Sequence, residues 1–195
     1  MVARPGRSQP RTGELTLSEL TIQVNRAPVL TLWAAIVAER LGHDWPAALS
    51  IGKVLAGLNA QSKGRRLGIF GPPKGGEGQQ PKKTGLGEDC WVEVCGRSVP
   101  CKHTADGLRG VVEDRPVAPE TVEKYLRSKF GEGLPEVLAA LRELAAAYEP
   151  AALADEAFGL YEHFRPRIDP GQAGWGQNGT LDLGVVTALT RRARS

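Results

Sequence analysis

The stretch Ala27–Ala60, APVLTLWAAIVAERLGHDWPAALSIGKVLAGLNA, decides the fold because it predicts two helices joined by a tight turn. The first helix covers 30–41, and Gly42 directly after it is a good helix stop. Asp44 is suited to cap the N-terminus of a second helix over 45–60. The stretch therefore predicts a helical hairpin near the front of the chain.

The first helix of this hairpin is apolar over most of its surface. The segment VLTLWAAIVA, residues 29–38, is too short to cross a bilayer and is typical of a buried helix. Leu30, Ala34 and Val37 lie on the stripe that faces the core. The N-terminal residues contain no apolar leader, and three cysteines do not make a disulfide framework. We therefore predict a cytoplasmic protein with no membrane segment.

The spacing of apolar residues across the turn has a known precedent. The residues that would lock the two helices together are Val37, Leu41, Ala48 and Ile51. This arrangement resembles the helix-turn-helix family, in which the second helix enters the major groove of DNA. Among the groove-facing positions only Ser50 and Lys53 suit contact with bases or phosphates, and Asp44 would repel phosphate. An ordinary helical hairpin inside a core fits the same pattern.

Basic residues follow the second helix with almost no acid among them. Between residues 53 and 83 the only acid is Glu77, and the bases are Lys53, Lys63, Arg65, Arg66, Lys74, Lys82 and Lys83. Basic segments of this kind bind phosphates without reading sequence, although the helix dipole also favours cations at a helix end. The N-terminal tail adds Arg4, Arg7 and Arg11. We predict a bacterial-type, non-catalytic protein that binds nucleic acid, in the first place DNA, through these residues and mainly at the phosphate backbone.

The charge balance reverses between residues 113 and 162, where eleven acids face five bases. Acidic helices over 119–164 and the Ala-rich segment LAALRELAAAY at 138–148 offer surfaces on which helices pack closely. Trp175 stands on a glycine-rich loop, where it could contact a partner or fold back onto the core. The alternative function is therefore a protein-interaction or homodimerisation module that uses helices 119–164 and the Trp175 loop.

The segment CWVEVCGRSVPCKHT, residues 90–104, predicts a β-hairpin that turns at Gly96-Arg97. Its potential zinc ligands are Cys90, Cys95, Cys101 and His103. With the turn at that place, Cys95 faces away from the other three. Buried cysteines on a strand commonly act as small apolar groups. We therefore predict no metal site.

Motifs for catalysis or for cofactors are scarce. The segment GEGQQPKKT, residues 76–84, lacks glycine at Glu77 and Lys82, where a P-loop would need it. The three histidines, His43, His103 and His163, lie in no recognisable Ser, Cys or metal motif. We predict no cofactor and no catalytic residues, and an enzyme of unknown class stays a third hypothesis.

The predicted fold class is α+β, predominantly helical, with a small antiparallel β-hairpin or sheet and a helix-turn-helix-like hairpin at the front. The chain is predicted to divide into four segments. They are a disordered basic tail at 1–13, a helical segment at 14–70, a flexible Gly/Pro/Lys loop at 71–89, and a β-hairpin with helices at 90–195. We expect the last segment to pack with 14–70 as one domain.

Overall fold

The computed structural model describes residues 20–66, 89–171 and 176–195, with only the backbone for residues 64–66. Six α-helices and six strands follow one another in these ranges. In chain order they are β1 (Thr21–Val24), α1 (Arg26–Arg40), α2 (Trp45–Arg66), β2 (Asp89–Val94), β3 (Arg97–Thr104), β4 (Gly107–Val112), β5 (Arg115–Pro116), α3 (Pro119–Phe130), α4 (Leu134–Ala146), α5 (Pro150–Phe164), β6 (Gly179–Asp182) and α6 (Leu183–Ala193). The α+β fold class, mostly helical with small antiparallel sheets, is confirmed.

Helix α1 lies in the middle of the core because it is apolar on every side. Every residue from 28 to 38 is buried, as expected of a helix without a polar face. The Asn25 side-chain oxygen accepts a hydrogen bond from the Ala27 amide at 2.7 Å and so caps the first turn. Deeper in the core, the indole N–H of Trp33 donates to the Ala157 carbonyl at 2.7 Å. The prediction of a buried helix over 29–38 is confirmed.

Helix α2 runs back along α1, and the predicted helical hairpin is confirmed. The Asp44 carboxylate accepts a hydrogen bond from the Ala47 amide at 2.8 Å, so this residue is the N-terminal cap that the sequence indicated. Gly52 makes the close approach possible, because a Cβ atom there would meet the Thr31 carbonyl oxygen and the Ala35 amide nitrogen. The helix continues to Arg66, well beyond the predicted end at residue 60.

Strands β2, β3, β4 and β5 form an antiparallel sheet in that spatial order. The hairpin between β2 and β3 turns at Cys95 and Gly96, whose φ angles are 50° and 66°. The predicted turn at Gly96-Arg97 is therefore wrong by one residue, since Arg97 is already paired with Val94. The corrected register places Cys90 directly opposite Cys101. Two-residue turns with both φ angles positive match the twist of a hairpin, which explains the shift.

A second, two-stranded sheet pairs β1 with β6. The β1 register sets Val24 opposite Gly179, and the Gln23 side-chain amide donates to the Thr180 hydroxyl at 2.8 Å. The Asp182 carboxylate then accepts from the Gly184 amide at 2.8 Å and caps α6. Strand β6 was not predicted from the sequence.

Helices α3, α4 and α5 cover the other sides of α1, and α6 packs on α4 and α5. Prolines open α3, α4 and α5, as expected for a residue that lacks a backbone donor. Trp33 on α1 meets Phe164 on α5 edge-on, with ring centroids 5.3 Å apart. The apolar core therefore combines side chains from residues before 67 and from residues after 88 in the chain. The predicted segment boundaries at 13 and 70 lie outside the described residues and stay predictions.

None of the helices in the described ranges is long and apolar enough to cross a membrane. The cytoplasmic location itself stays a prediction.

Candidate nucleic-acid interface

Helix α2 carries four of the seven predicted contact residues and not one acid among its 22 residues. Lys53 and Lys63 are both half-buried. Arg65 and Arg66 extend the helix by backbone geometry, while their side chains lie outside the described part of the chain. The other three predicted residues, Lys74, Lys82 and Lys83, and the loop residue Trp175 also lie outside it.

Lys53 lies where α2 meets α3. Its ammonium stands 3.7 Å from the centroid of the Tyr125 ring, which is a cation–π contact. Burial lowers the pKa of Lys53, and the positive charge of Lys129 on α3 lowers it further. No ion pair in the described ranges neutralises Lys53 or Lys129. Lys53 and Lys129 are therefore two cations that lie near each other, and neither forms an ion pair in the described part of the chain.

Arg97 lies beside the last turns of α2 and was missed by the sequence reasoning. Its guanidinium donates to the Asn59 side-chain oxygen at 3.3 Å and lies 3.5 Å from the Ser62 hydroxyl. Both partners are neutral, so neither of them offsets the positive charge of Arg97. Placing the hairpin turn one residue too late hid this role, because it made Arg97 a turn residue.

A further pair of arginines stands at the start of α1. Arg26 donates from Nε to the Pro166 carbonyl at 3.0 Å, and burial together with the charge of Arg165 lowers its pKa. Arg165 itself contacts the Glu162 carboxylate at 3.3 Å. Arg97 and these two arginines contact different elements, so the candidate site is limited to α2 and its neighbours. We call the last turns of α2, with Arg97 beside them, the basic end.

The first half of α2 does not offer the groove-reading face that a helix-turn-helix protein needs. Leu49 and Ser50 are buried. The Ser50 hydroxyl accepts from the Gly110 amide at 2.9 Å and donates to the Ala47 carbonyl at 2.7 Å. The candidate contact at Ser50 is therefore corrected: its hydroxyl holds β4 against α2. Of the two suitable groove-facing positions only Lys53 is accessible.

The cysteine and histidine candidates do not form a metal site in the described part of the chain. Cys90, Cys101 and His103 share one face of the sheet, yet no group of three potential ligands there is arranged around a common point. Burial and the neighbouring Cys90 raise the pKa of Cys101 to about 12, which keeps its thiol protonated. His103 and His163 are exposed.

Comparison with protein-family models, with curated proteins and with solved structures found no match to the chain. Its function is therefore argued from its own residues.

Proposed function

We propose that this protein binds nucleic acid, in the first place double-stranded DNA, mainly through the phosphate backbone and without catalysis. The observation that carries the proposal is the acid-free helix α2, beside which α3 and β3 place Lys129 and Arg97. Cations that lie near one another repel one another, and a row of phosphates relieves that repulsion.

Because Leu49 and Ser50 are buried, we limit the proposal to contacts with the phosphate backbone of the nucleic acid. Sequence is read by side chains that reach base edges, and these two side chains are enclosed between α2 and its neighbours. Lysine and arginine contacts to phosphate position a protein on the duplex without selecting a sequence. We therefore expect binding that depends steeply on salt and weakly on base sequence.

The test is fluorescence anisotropy of a labelled DNA duplex and of a structured RNA over a range of salt concentrations. Wild type is compared with the triple variant Lys63→Ala, Arg65→Ala, Arg66→Ala. Each lost phosphate contact removes about 0.9 from the slope of log affinity against log salt, so the variant should lose about two to three units. Alanine is a good helix former, so the end of α2 tolerates the change.

A matched control removes three exposed cations from the end of another helix. The variant Arg191→Ala, Arg192→Ala, Arg194→Ala changes the net charge by the same amount at the end of α6. We expect it to keep the wild-type slope to within about one unit. An equal loss in both variants would mean that only net charge matters and would refute the location of the site.

Absence of binding by wild type at low salt would refute the proposed function altogether. The alternative, an interaction or homodimerisation module built on helices 119–164, would then be examined by size-exclusion chromatography with light scattering. A strict monomer would count against homodimerisation.

A further inference from the structure

The four-stranded sheet has one face turned away from α2. Its inner face packs on that helix at Gly110, where an added Cβ atom would lie 2.8 Å from the Ser50 carbonyl oxygen. On the opposite, outer face, Trp91 of β2 stands directly across from Pro100 of β3. Trp91 is 55% exposed and, with Val112 at 47%, is one of the two large apolar side chains that stand out to solvent in the described part of the chain. By strand alternation Val112 belongs to the inner face.

Carboxylates flank the Trp91 indole along its own strand. Asp89 and Glu93 lie two positions before and after it, and so share its face. The Glu93 carboxylate accepts a hydrogen bond from Ser98 on the next strand, which holds it beside the indole. Because of these neighbours, the surroundings of Trp91 are acidic rather than basic.

The base closest in register to Trp91 is already neutralised. Lys102 is only 7% exposed, and its ammonium lies 3.5 Å from Asp89 and 3.6 Å from Asp114. Two carboxylates and one ammonium leave this group with one net negative charge. Arg109, also on the outer face, donates to the carbonyls of Leu108 and Asp106 at 2.8 Å and is held at the β3–β4 turn.

We propose that the outer face of the sheet binds a basic segment of a protein partner, with a lysine or arginine side chain stacked on Trp91. An exposed indole attracts a cation over its ring, and tryptophan does so best among the aromatic side chains. Glu93 and the Asp89–Lys102–Asp114 group supply the complementary negative charge. The same carboxylates repel phosphates, which disfavours a nucleobase as the stacked group. Arg97 of the basic end is paired with Val94 and so belongs to the inner face, opposite to the proposed surface.

The experiment measures fluorescence anisotropy of a labelled peptide of alternating glycine and arginine, titrated with the full-length protein. A peptide with glutamate in place of arginine serves as the negative probe. We expect Trp91→Ala to weaken binding of the arginine peptide by about fivefold and Trp91→Phe by about twofold, since phenylalanine keeps a weaker cation–π contact. Glu93→Gln should also weaken binding and reduce its dependence on salt.

Val112→Ala is the matched control, because it removes the other exposed apolar side chain of the same sheet from the opposite face. It should leave peptide affinity unchanged. Circular dichroism confirms that each variant is folded before binding is compared. The proposal is overturned if Trp91→Ala binds the arginine peptide as tightly as wild type. It is overturned equally if a short oligothymidylate binds to wild type, loses that binding in Trp91→Ala and displaces the peptide, which would make Trp91 a nucleobase platform.

Discussion

Two glycines of α2 differ in what an added methyl group would meet. At Gly52 a Cβ atom would collide with the Thr31 carbonyl oxygen and the Ala35 amide nitrogen, both backbone atoms of α1. At Gly57 a Cβ atom would meet no described atom within 4 Å. We predict that Gly52→Ala lowers the free energy of unfolding by about 1–3 kcal/mol, because the helices must move apart. Gly57→Ala should raise it by about 0.5–1 kcal/mol, because alanine loses less entropy in a helix.

Urea unfolding of both variants, monitored by circular dichroism, measures the two predicted changes in the free energy of unfolding. Both changes add the same methyl group to the same helix, so each variant controls for the helix propensity of the other. Equal effects at Gly52 and Gly57 would contradict the close contact between α1 and α2.

The turn between β4 and β5 forces two ordinary residues into a left-handed backbone conformation. Glu113 and Asp114 have φ angles of 49° and 64° without a glycine at either position. This conformation costs an ordinary L-residue about 1–2 kcal/mol, and asparagine tolerates it best after glycine. We predict that Glu113→Asn raises the free energy of unfolding by about 0.5–1 kcal/mol in urea titrations. Glu113→Gln removes the same charge but keeps the strain, so a gain of similar size in that variant would disprove the explanation.

At the scale of elements, a buried hydrogen bond joins α2 to β4. The buried Ser50 hydroxyl accepts from the Gly110 amide in β4 at 2.9 Å. Ser50→Ala leaves that amide without its partner, so we predict a loss of about 1–3 kcal/mol in the free energy of unfolding. Ser128→Ala on α3 is the comparison, because its hydroxyl is exposed and donates to the Tyr125 carbonyl of its own helix. Calorimetric melting of both variants measures the difference in their stability. A Ser50→Ala variant that is as stable as Ser128→Ala would contradict the prediction.

Local signals predicted the helices well. The cap Asp44 marks the start of α2, and the apolar residues 29–38 mark α1; both signals depend on a few neighbouring residues. Strand pairing is different, since the partner of a strand can lie anywhere in the chain. This is why β6 was not predicted: its four residues pair with β1, which begins at Thr21, far away along the chain. A one-residue error in the turn likewise moved the register of the β2–β3 hairpin.

At the scale of the whole molecule, the candidate interface could be predicted only in part. Lys53 and Lys63 were chosen because they belong to a run of bases from residue 53 to 83 whose only acid is Glu77, which is visible in the sequence. Lys129 sits in the acid-rich part of the chain, and Arg97 sits in a hairpin, so neither was assigned to the same site. Tertiary packing of α3 and β3 against α2 brings them there, and charge counts along the chain carry no information about such packing.

The buried thiols give the whole molecule a dependence on alkaline pH. The pKa of Cys101 is raised by burial to about 12 from an ordinary value of 9.0, and that of Cys95 is raised to about 12 by burial as well. Above pH 9.0 the unfolded chain releases these protons while the folded protein keeps them, so stability is full below pH 9.0 and falls as the pH rises. Each such thiol contributes a slope of about −1.4 kcal/mol per pH unit.

Cys101→Ala isolates the contribution of one thiol. Its free energy of unfolding starts lower at about pH 8, because the smaller side chain leaves space in the core. Between about pH 9.5 and pH 11 its stability should fall less steeply than that of wild type, by about 1.4 kcal/mol per pH unit. Burial also raises the pKa of Tyr161 to about 12. Tyr161 and Cys95 contribute the same slopes to wild type and to the variant, so their contributions cancel in the difference between the two curves. Urea unfolding under reducing conditions measures both curves. Parallel curves would mean that the Cys101 thiol ionises as readily in the folded protein as in the unfolded chain, which its burial at the β3–β4 pairing argues against.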